Sequence, residues 1–541
     1  MTQPRCLTQD QEKQSESREN DYKNPGSPKL YDDGSAQKIE EIDNISVEDN
    51  PTCLPDMATS QSSPSKSNHV YLNGRTLEGG GQLVRIAIGL SALTGRPVSI
   101  DHVRGNRQGK KGLKRSHTAA VKLLAEISGS KVSGVEVGSQ FLNFFPQSTR
   151  SKSGSLLDLS HVNVKSEYNI NLTTAGSIFL IFQALYPYLL YVGSQAVGAS
   201  VKVNITGGTN TTHSPSYDYA SQVMVPNFVK LGLPPLSIIL HKRGWSSGPL
   251  ELGAVTFFIH ALGFRQSLDE EIQTKEPAEK DRRARGFCSF PRIDLMSHKR
   301  GQITHVDITV LAPDQPTLNT DSGEDTGSTV RQFIEHVTQC TLRRALKKLN
   351  PSIFVKDPTS SVPEEGPLSK SAEEDTPVPI KIHTSEATQH RSHVYILIVA
   401  HTSAGFRIGH DMLGSLGGDR SSKPKHKGKQ KQQPAQRDCQ RDLMFSQAAA
   451  LVDQCVEGFI GEISNDSPNT NSDKLPGATG RRSCLDEHMR DQIVVFEALG
   501  RVCDSEGHGM KPTEPEALED ERDWTLHTKT AQWVCQQMLD V

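Results

Sequence analysis

A run of three glycines directly before an apolar helical pattern is the feature that most constrains this chain. Glu78 and Gln82 flank Gly79, Gly80 and Gly81. The apolar residues that follow recur at the spacing of one helix face: Leu83, Ile86, Ala87, Leu90 and Leu93. Because glycine has no Cβ, a polyanion can approach the main chain, and a helix start adds unpaired N–H groups and a positive dipole end. The pattern predicts a strand-to-helix turn suited to phosphate, although a glycine triplet alone is also typical of a plain tight turn.

Composition indicates that only part of the chain is packed. The hydrophobic fraction of the 541 residues is 35%, and the mean hydropathy is −0.49. Residues 1–66 contain few large apolar side chains, so we predict a disordered tail. Similar polar stretches are interpreted as loop expansions of a compact core, which cost little closure entropy: 266–284, 358–391, 417–440, 464–482 and 504–522.

Charge, cysteine usage and hydropathy limit the compartment and the partners. The nine cysteines include no C-x-x-C pair, and the first residues lack the order of a secretory signal, which predicts a reducing compartment. The most apolar run, 178–192, is too short for a bilayer and contains Gln183 and Pro187, so we predict a buried helix and no membrane partner. With a net charge of −3, any binding of nucleic acid would rest on local basic patches.

The hydrophobic pattern predicts an α/β fold made of repeated βαβαββ-type units. The first unit is predicted as strand 69–72, helix 82–94, strand 98–101, helix 115–127 and strands near 132–137 and 140–145. The second is predicted as strand 168–172, helix 175–192, strand 201–206, helix 217–231 and strands near 237–241 and 254–259.

A third, interrupted unit is predicted toward the carboxyl end. Its elements are a strand at 393–400, helices at 443–463 and 485–499, a short strand at Trp524–His527 and a helix at 529–539. Between the second and third units, a strand at 306–311 and an amphipathic helix at 330–349 suggest a small inserted domain.

Two loops could hold anions. The loop between Arg104 and Arg115 also contains Arg107 and three lysines around glycines 105, 109 and 112. Such cations suit a terminal phosphate or an RNA backbone, but a solvated charge run fits as well. Thr174–Ser177 and the turn Gly207–Asn210 combine small residues at helix starts and strand ends, where a ligand site and ordinary turn chemistry both fit.

Two segments near the carboxyl end carry candidate chemistry. Glu487–Gln492 opens an apolar helix with acid, imidazole, carboxylate and amide groups, which fits either a ligand site or a capped, solvated first turn. His527 precedes the last helix between threonines, and a neutral imidazole there could attack phosphorus. A solitary histidine is nevertheless more often structural.

Six motifs in order resemble the RNA 3′-terminal phosphate cyclase family, in its eukaryotic cyclase branch rather than its ribosome-biogenesis branch. They are EGGGQLVR at 78–85, R-x-x-R at 104–107, TAGS at 174–177, GGTN at 207–210, HMRDQ at 488–492 and HTKTA at 527–531. The chain departs from relatives at 246–253, which reads SSGPLELG, and at 114–117, which reads KRSH.

The resemblance implies an architecture and an activity. The fold would be a large domain of three repeated units with a small inserted α/β domain: a tail at 1–66, two repeats at 67–265, the insert at 266–401 and the third repeat at 402–541. Family enzymes use ATP and Mg²⁺ to convert the 3′-terminal phosphate of RNA into a 2′,3′-cyclic phosphodiester, a ligase-type nucleotidyl transfer. The expected partner is therefore an RNA 3′ end; no oligomeric state is implied.

The resemblance also implies roles for individual residues. His527 matches the nucleophile that forms a covalent histidine–AMP adduct, Glu78 falls at the metal position, and Arg104 and Arg107 fall near the substrate phosphate. The positions that match ATP contacts are Gln183, Pro215, His488, Asp491 and Gln492.

Two other functions stay open at this stage. The family includes a branch that keeps the fold, lacks the catalytic histidine and acts in ribosome biogenesis without catalysis; His527 argues against that reading. A relative that adenylylates other ends, such as 5′-phosphates, is a weaker alternative. The family and the Lys-rich segment 424–432 favour the nucleoplasm, with the cytoplasm as a second location, although that segment fits a solvated loop as well.

Overall fold

The computed structural model describes most of the chain after residue 68. The described residues are 69–147, 156, 162, 164–193, 200–262, 289–314, 329–355, 376–416, 434–464, 483–508 and 525–539. All of them belong to the compact unit Lys66–Val541. The predicted tail and most residues of the predicted loop expansions lie outside the described residues.

Three four-stranded mixed sheets and their helices confirm the predicted α/β class. Sheet 1 has the order β1-β2-β4-β3, with β1 parallel to β2 and the other pairs antiparallel. Its unit contains β1 (Val70–Asn73), α1 (Gly81–Thr94), β2 (Val98–Asp101), α2 (Arg115–Ser128), β3 (Lys131–Ser133) and β4 (Leu142–Phe145).

Sheet 2 repeats this topology, with the order β5-β6-β8-β7. Its elements are β5 (Glu167–Asn171), α3 (Ile178–Val192), β6 (Ser200–Gly207), α4 (Tyr217–Tyr219), a π-helical turn (Ala220–Met224), α5 (Val225–Lys230), β7 (Leu236–Lys242) and β8 (Gly253–His260). Helix α3 is buried along almost its whole length, as its apolar sequence predicts. No described helix is long and apolar enough to cross a bilayer.

Sheet 3 has a different strand order, β10-β9-β11-β12. Its unit contains β9 (Ile303–Pro313), α6 (Val330–Leu346), β10 (Ile380–Thr388), β11 (Val394–Thr402), β12 (Arg407–Gly414) and α7 (Pro434–Ser464). Strands β9 and β11 are neighbours, so the strands assigned to the inserted domain and to the third repeat share one sheet, and residue 401 lies inside β11. Strand β10 was missed because it is a polar edge strand inside a predicted loop expansion.

The chain ends in α8 (Glu487–His508) and α9 (Leu526–Leu539). The predicted strand at Trp524–His527 is wrong over its described residues, since α9 begins at Leu526. The Thr525 hydroxyl accepts a hydrogen bond from the Thr528 N–H at 3.0 Å, which is a helix cap. Capping thus overrides the β-like composition of this segment.

The helices of the first two units pack on one another, together with the last two helices of the chain. Helix α1 is buried almost all round and packs against α2, α3 and α9. Sheet 3 joins two cores, because one face packs on α6 and α7 while Leu311, Tyr395 and Val399 on the other face join the core of the first two units. Strands β1 and β5 alternate buried with exposed residues, so sheets 1 and 2 each have one buried and one exposed face there.

Buried His117 fixes the approach of α2 to the glycine turn. Its Nδ1 accepts the Lys114 N–H at 3.2 Å, so Nε2 carries the proton of the neutral ring. That Nε2 lies so close to Gly81 that a Cβ on Gly81 would meet it at 2.3 Å. Burial, together with the charges of Arg85, Arg104 and Lys114, lowers the pKa of His117 to about 3.

The pKa of His117 predicts a loss of stability in acid. Below pH 6.5 the unfolded chain binds a proton at this position, whereas the folded chain binds it only near pH 3. We expect the free energy of unfolding to fall by up to about 1.4 kcal/mol per pH unit through this window from this group. His117→Gln should flatten the pH dependence in urea titrations, and His383→Gln, an exposed change on β10, should not. Equal slopes in all three proteins would contradict this account.

Two glycines of the basic loop offer a matched pair. Gly112 and Gly109 have φ of +78° and +80°, but a Cβ on Gly112 would meet Gly138 O at 2.2 Å, while a Cβ on Gly109 would meet nothing within 4 Å. We expect Gly109→Ala to cost about 1–2 kcal/mol from the left-handed backbone alone, and Gly112→Ala to cost about 1–3 kcal/mol more because of the clash. Urea midpoints measure the difference; indistinguishable midpoints would show that the loop does not dock at Gly138.

Candidate active site

The glycine turn and the last helix meet at one carboxylate. The imidazole Nδ1 of His527 on α9 is hydrogen-bonded to Oε2 of Glu78, which precedes the turn, across 449 positions of sequence. Arg107 of the basic loop contacts the other oxygen, Oε1, at 2.6 Å. A second link holds the turn, since the Glu78 N–H donates to the Thr530 hydroxyl at 3.2 Å. Three distant segments therefore converge on Glu78.

The contact with Glu78 sets the proton position on His527. A carboxylate accepts hydrogen bonds, so in the neutral ring Nδ1 carries the proton and Nε2 keeps a lone pair. Nε2 faces Asp491 Oδ2 at 4.0 Å, and the side chain is 34% exposed, which leaves this nitrogen accessible. Such a ring is oriented as a nucleophile.

The Glu78 carboxyl is ionised in this setting. Burial raises its pKa, but the hydrogen bond and charge of His527 and the charges of Arg107 and Arg85 lower it further, so the net pKa is below the usual value. Arg85 is itself buried, and desolvation lowers its pKa to about 10 against the opposing attraction of Glu78. The site thus concentrates positive charge around one anionic group.

Asp491 on α8 forms the opposite wall. Its Oδ1 accepts a hydrogen bond from the Thr528 hydroxyl at 2.5 Å, which ties α8 to the start of α9. Burial raises the pKa of the Asp491 carboxyl, while the charge of His527 and the Thr528 hydrogen bond act in the other direction. Beside it, Gln492 accepts a hydrogen bond from the Gln183 side chain of α3. Pro187 lacks the N–H that would pair with the Gln183 carbonyl, so that carbonyl has no helical partner.

The structure does not bring every predicted residue to His527. Arg104 donates to the Lys110 carbonyl at 2.8 Å within the basic loop. Pro215 precedes Ser216, whose hydroxyl lies 2.6 Å from that of Tyr395. Among the described residues no contact joins His527 to Arg104, Pro215 or His488.

His488 is exposed and lies instead beside acidic groups around the buried Asp486, surroundings that the sequence did not predict. Desolvation lowers its pKa, but Asp411, Asp486, Glu487 and Glu462 raise it to a net value above normal. The Tyr219 hydroxyl donates to Asp486 at 2.5 Å, and Asp486 also caps α8 by accepting the Met489 N–H at 2.9 Å. Only the position of Asp486 directly before a helix start could have signalled this role.

The glycines of the turn serve close packing as well as ligand access. A Cβ on Gly79 would meet Gly74 O at 2.0 Å, and a Cβ on Gly80 would meet Arg107 Nε at 3.2 Å. No side chain caps α1 at Gly80, so the first N–H groups of the helix remain for another partner. The buried Gln82 Oε1 has no hydrogen-bond partner either. The unpaired N–H groups beside Arg85 and Arg107 fit a phosphate group, whereas the Gln82 oxygen can only accept a hydrogen bond.

The donors also fit a magnesium ion at Glu78. Mg²⁺ usually takes one or two protein carboxylates and completes its octahedron with water and substrate phosphates. Glu78 supplies one carboxylate with a lowered pKa.

Comparison with known proteins identifies the family of the chain. A profile described as RNA 3′-terminal phosphate cyclase matches residues 76–541. Curated proteins named RNA 3′-terminal phosphate cyclase match as well: that of Thermococcus onnurineus is 35% identical over 188 residues, which is 34% of this chain and 48% of the relative. That of Koribacter versatilis is 34% identical over 182 residues, 34% of this chain and 45% of the relative. The chain spans about half the length of these relatives, and the profile covers most of the chain. The chain belongs to the RNA 3′-terminal phosphate cyclase family.

Proposed function

We propose that this protein is an ATP-dependent RNA 3′-terminal phosphate cyclase whose nucleophile is His527. The observation that carries the proposal is the hydrogen bond from His527 to Glu78, which in the neutral ring puts the proton on Nδ1 and leaves the lone pair on Nε2, in a side chain that is 34% exposed. Family membership supports cyclase activity in general. The same contact supports the catalytic reading over the assembly role, which needs no oriented imidazole.

The first step transfers AMP to the protein. The Nε2 lone pair of His527 attacks the α-phosphorus of ATP, the bond to the bridging oxygen breaks, and pyrophosphate leaves. Nδ1 keeps its proton, and the Glu78 carboxylate stabilises the positive charge that develops on the ring. Arg85 and Arg107 offset the charge on the phosphates. Bound Mg²⁺ would supply further charge neutralisation at Glu78.

The next two steps transfer AMP and close the ring. An oxygen of the RNA 3′-phosphate attacks the same phosphorus, and the bond to Nε2 breaks. The vicinal 2′-hydroxyl then attacks the activated 3′-phosphorus, gives up its proton and expels AMP, which forms the 2′,3′-cyclic phosphodiester. Activation is needed because a phosphate monoester has no good leaving group, and the closure is fast because it is intramolecular.

The remaining predicted residues are proposed to bind the nucleotide. Gln183 and Gln492 form one hydrogen-bonded pair beside Asp491, while His488 and Pro215 lie near the Tyr219 and Tyr395 network. Arg104 is proposed to contact the RNA phosphate, and the nucleus is proposed as the main location.

A labelling experiment tests the nucleophile. Protein incubated with α-labelled ATP and Mg²⁺ should acquire an acid-labile adduct, and His527→Ala should lose it because no other nitrogen replaces Nε2. His383→Ala, a change of an exposed histidine on β10, is the control and should label as the unchanged protein does. If the unchanged protein takes up no label, or if His527→Ala keeps it, the mechanism is wrong.

A second experiment separates the two roles of Glu78. Glu78→Gln keeps the shape but removes the charge that faces Nδ1–H, so we expect adenylylation to slow by about 10²-fold. If the loss comes from His527, excess Mg²⁺ should not restore the rate; rescue by Mg²⁺ would instead assign the loss to the metal. The control is Glu126→Gln on α2, which removes an exposed salt bridge to Lys165. An unchanged rate in Glu78→Gln would remove Glu78 from the mechanism.

A further inference from the structure

The outward face of sheet 1 carries exposed aromatic rings. Tyr71 on β1 and Phe145 on β4 are 69% and 39% exposed, and Phe141, directly before β4, is 53% exposed. The opposite face of the same strands is packed into the core through residues such as Leu72 and Phe144. Solvent-exposed aromatic side chains clustered on one sheet face are typical of a binding surface.

Three of the rings form an ordered ledge. The His69 ring stacks on Tyr71 with centroids 4.4 Å apart and an interplanar angle of 10°. It also meets Phe145 edge-on at 5.6 Å. A contact of 2.8 Å between His69 Nε2 and the Ser99 hydroxyl fixes the ring. The ledge is therefore pre-organised, which lowers the entropic cost of placing a flat ligand on it.

Polar side chains cross the sheet beside the ledge. Strand register places Tyr71, Ser99, Asn143 and Ser133 in one row. The Ser99 hydroxyl donates to Asn143 Oδ1 at 2.7 Å, and Asn143 Nδ2 donates to Ser133 at 3.0 Å. Exposed Lys131 pairs in register with Phe145. Rings for base stacking, oriented amide and hydroxyl groups, and a nearby cation are the combination that single-stranded RNA requires.

Sheet 2 shows that the fold does not dictate this surface. Its outward face is mainly polar and self-paired: Asn204 donates to Glu167 at 2.6 Å and to Asn169 at 2.8 Å. Lys202 also contacts Glu167 at 3.2 Å. The same topology thus presents a satisfied polar face in one unit and a ring ledge in the other.

The ledge is continuous with the basic loop. Strand β1 ends at Asn73, and the next residue, Gly74, accepts a hydrogen bond from the Gly105 N–H of the basic loop at 3.0 Å. The same loop is also hydrogen-bonded to the segment just before β4, because the Leu113 N–H donates to Ser139 O at 2.9 Å. Tyr71 lies three residues before Gly74, a distance of about 10 Å along a strand. A chain whose end reaches Arg107 can therefore extend onto the rings.

We propose that the outward face of sheet 1 binds single-stranded RNA on the 5′ side of the reacting end, with bases stacked on Tyr71 and Phe145. The proposal rests on the proposed function, because that function places the 3′ end beside the basic loop. It assigns the enzyme a preference for unpaired RNA several nucleotides long. The basic loop holds the terminal phosphate, and sheet 1 holds the bases that precede it.

The test compares RNAs of two lengths. The probes are a 3′-phosphorylated oligoadenylate of about 12 nucleotides, within the usual range of single-strand sites, and a dinucleotide 3′-phosphate. In the double variant Tyr71→Ala/Phe145→Ala, the Kd for the longer RNA by fluorescence anisotropy should rise at least about tenfold, since each stacked base contributes that much. KM for the longer RNA should rise while kcat changes little, and the advantage of the longer RNA over the dinucleotide should vanish. Ile239→Ala, an equally outward change on sheet 2, should leave that advantage intact.

The outcomes separate this proposal from the proposed function. Ring-dependent binding of the longer RNA supports sheet 1 as the RNA surface even if the unchanged protein never takes up AMP. Equal Kd values for the double variant and the unchanged protein overturn it, even if cyclisation proceeds. A double variant that changes only the sedimentation coefficient would identify the face as a protein contact and also overturn the proposal.

Discussion

The site depends on the two interactions of the Glu78 carboxylate. Its two oxygens bind groups from the basic loop and from the last helix, Arg107 and His527. Neither partner could be held in this geometry by its own element, because one lies in a loop and the other in the first turn of a helix. A single anionic group therefore determines the proton position on the imidazole and the position of a cation beside it.

The glycine triplet acts through the same close packing. His117 Nε2 occupies the space that a side chain on Gly81 would need, and Gly74 occupies that space at Gly79. The turn is consequently packed between α2 and the basic loop, while no side chain caps the start of α1. A side chain at Gly79 or Gly81 would therefore displace the turn that carries Glu78, in addition to any effect on a ligand.

Much of the fold could be predicted from the sequence. The spacing of apolar residues predicted both ends of α1 and α2 to within one residue, and the apolar run 178–192 predicted α3. Helix α2 buries one face, which the residue period reveals, whereas α1 and α3 are buried almost all round. The pattern could not reveal β10, whose side chains alternate between exposed and half-buried positions, or the neighbouring places of β9 and β11, which are set by long-range pairing. It also assigned Trp524–His527 to a strand, since side-chain capping is a local hydrogen bond that composition does not encode.

The sequence named candidate residues for the site but did not predict their geometry. The motifs pointed to Glu78, Arg107, Asp491 and His527, which the structure brings together, and also to Arg104, Pro215 and His488, which lie in other contacts. No spacing rule connects Glu78 with a histidine 449 residues away. The acidic surroundings of His488 were likewise invisible, because Asp411 and Glu462 come from a different sheet and helix.

The packing of α9 against α1 has a consequence for synthesis of the protein. Helix α1 is buried almost all round. One of the helices that cover it is α9, which is translated after every other described element. Until α9 leaves the ribosome, the apolar side of α1 that α9 covers stays exposed to chaperones and proteases. Completion of the core and the arrival of His527 beside Glu78 therefore coincide during synthesis.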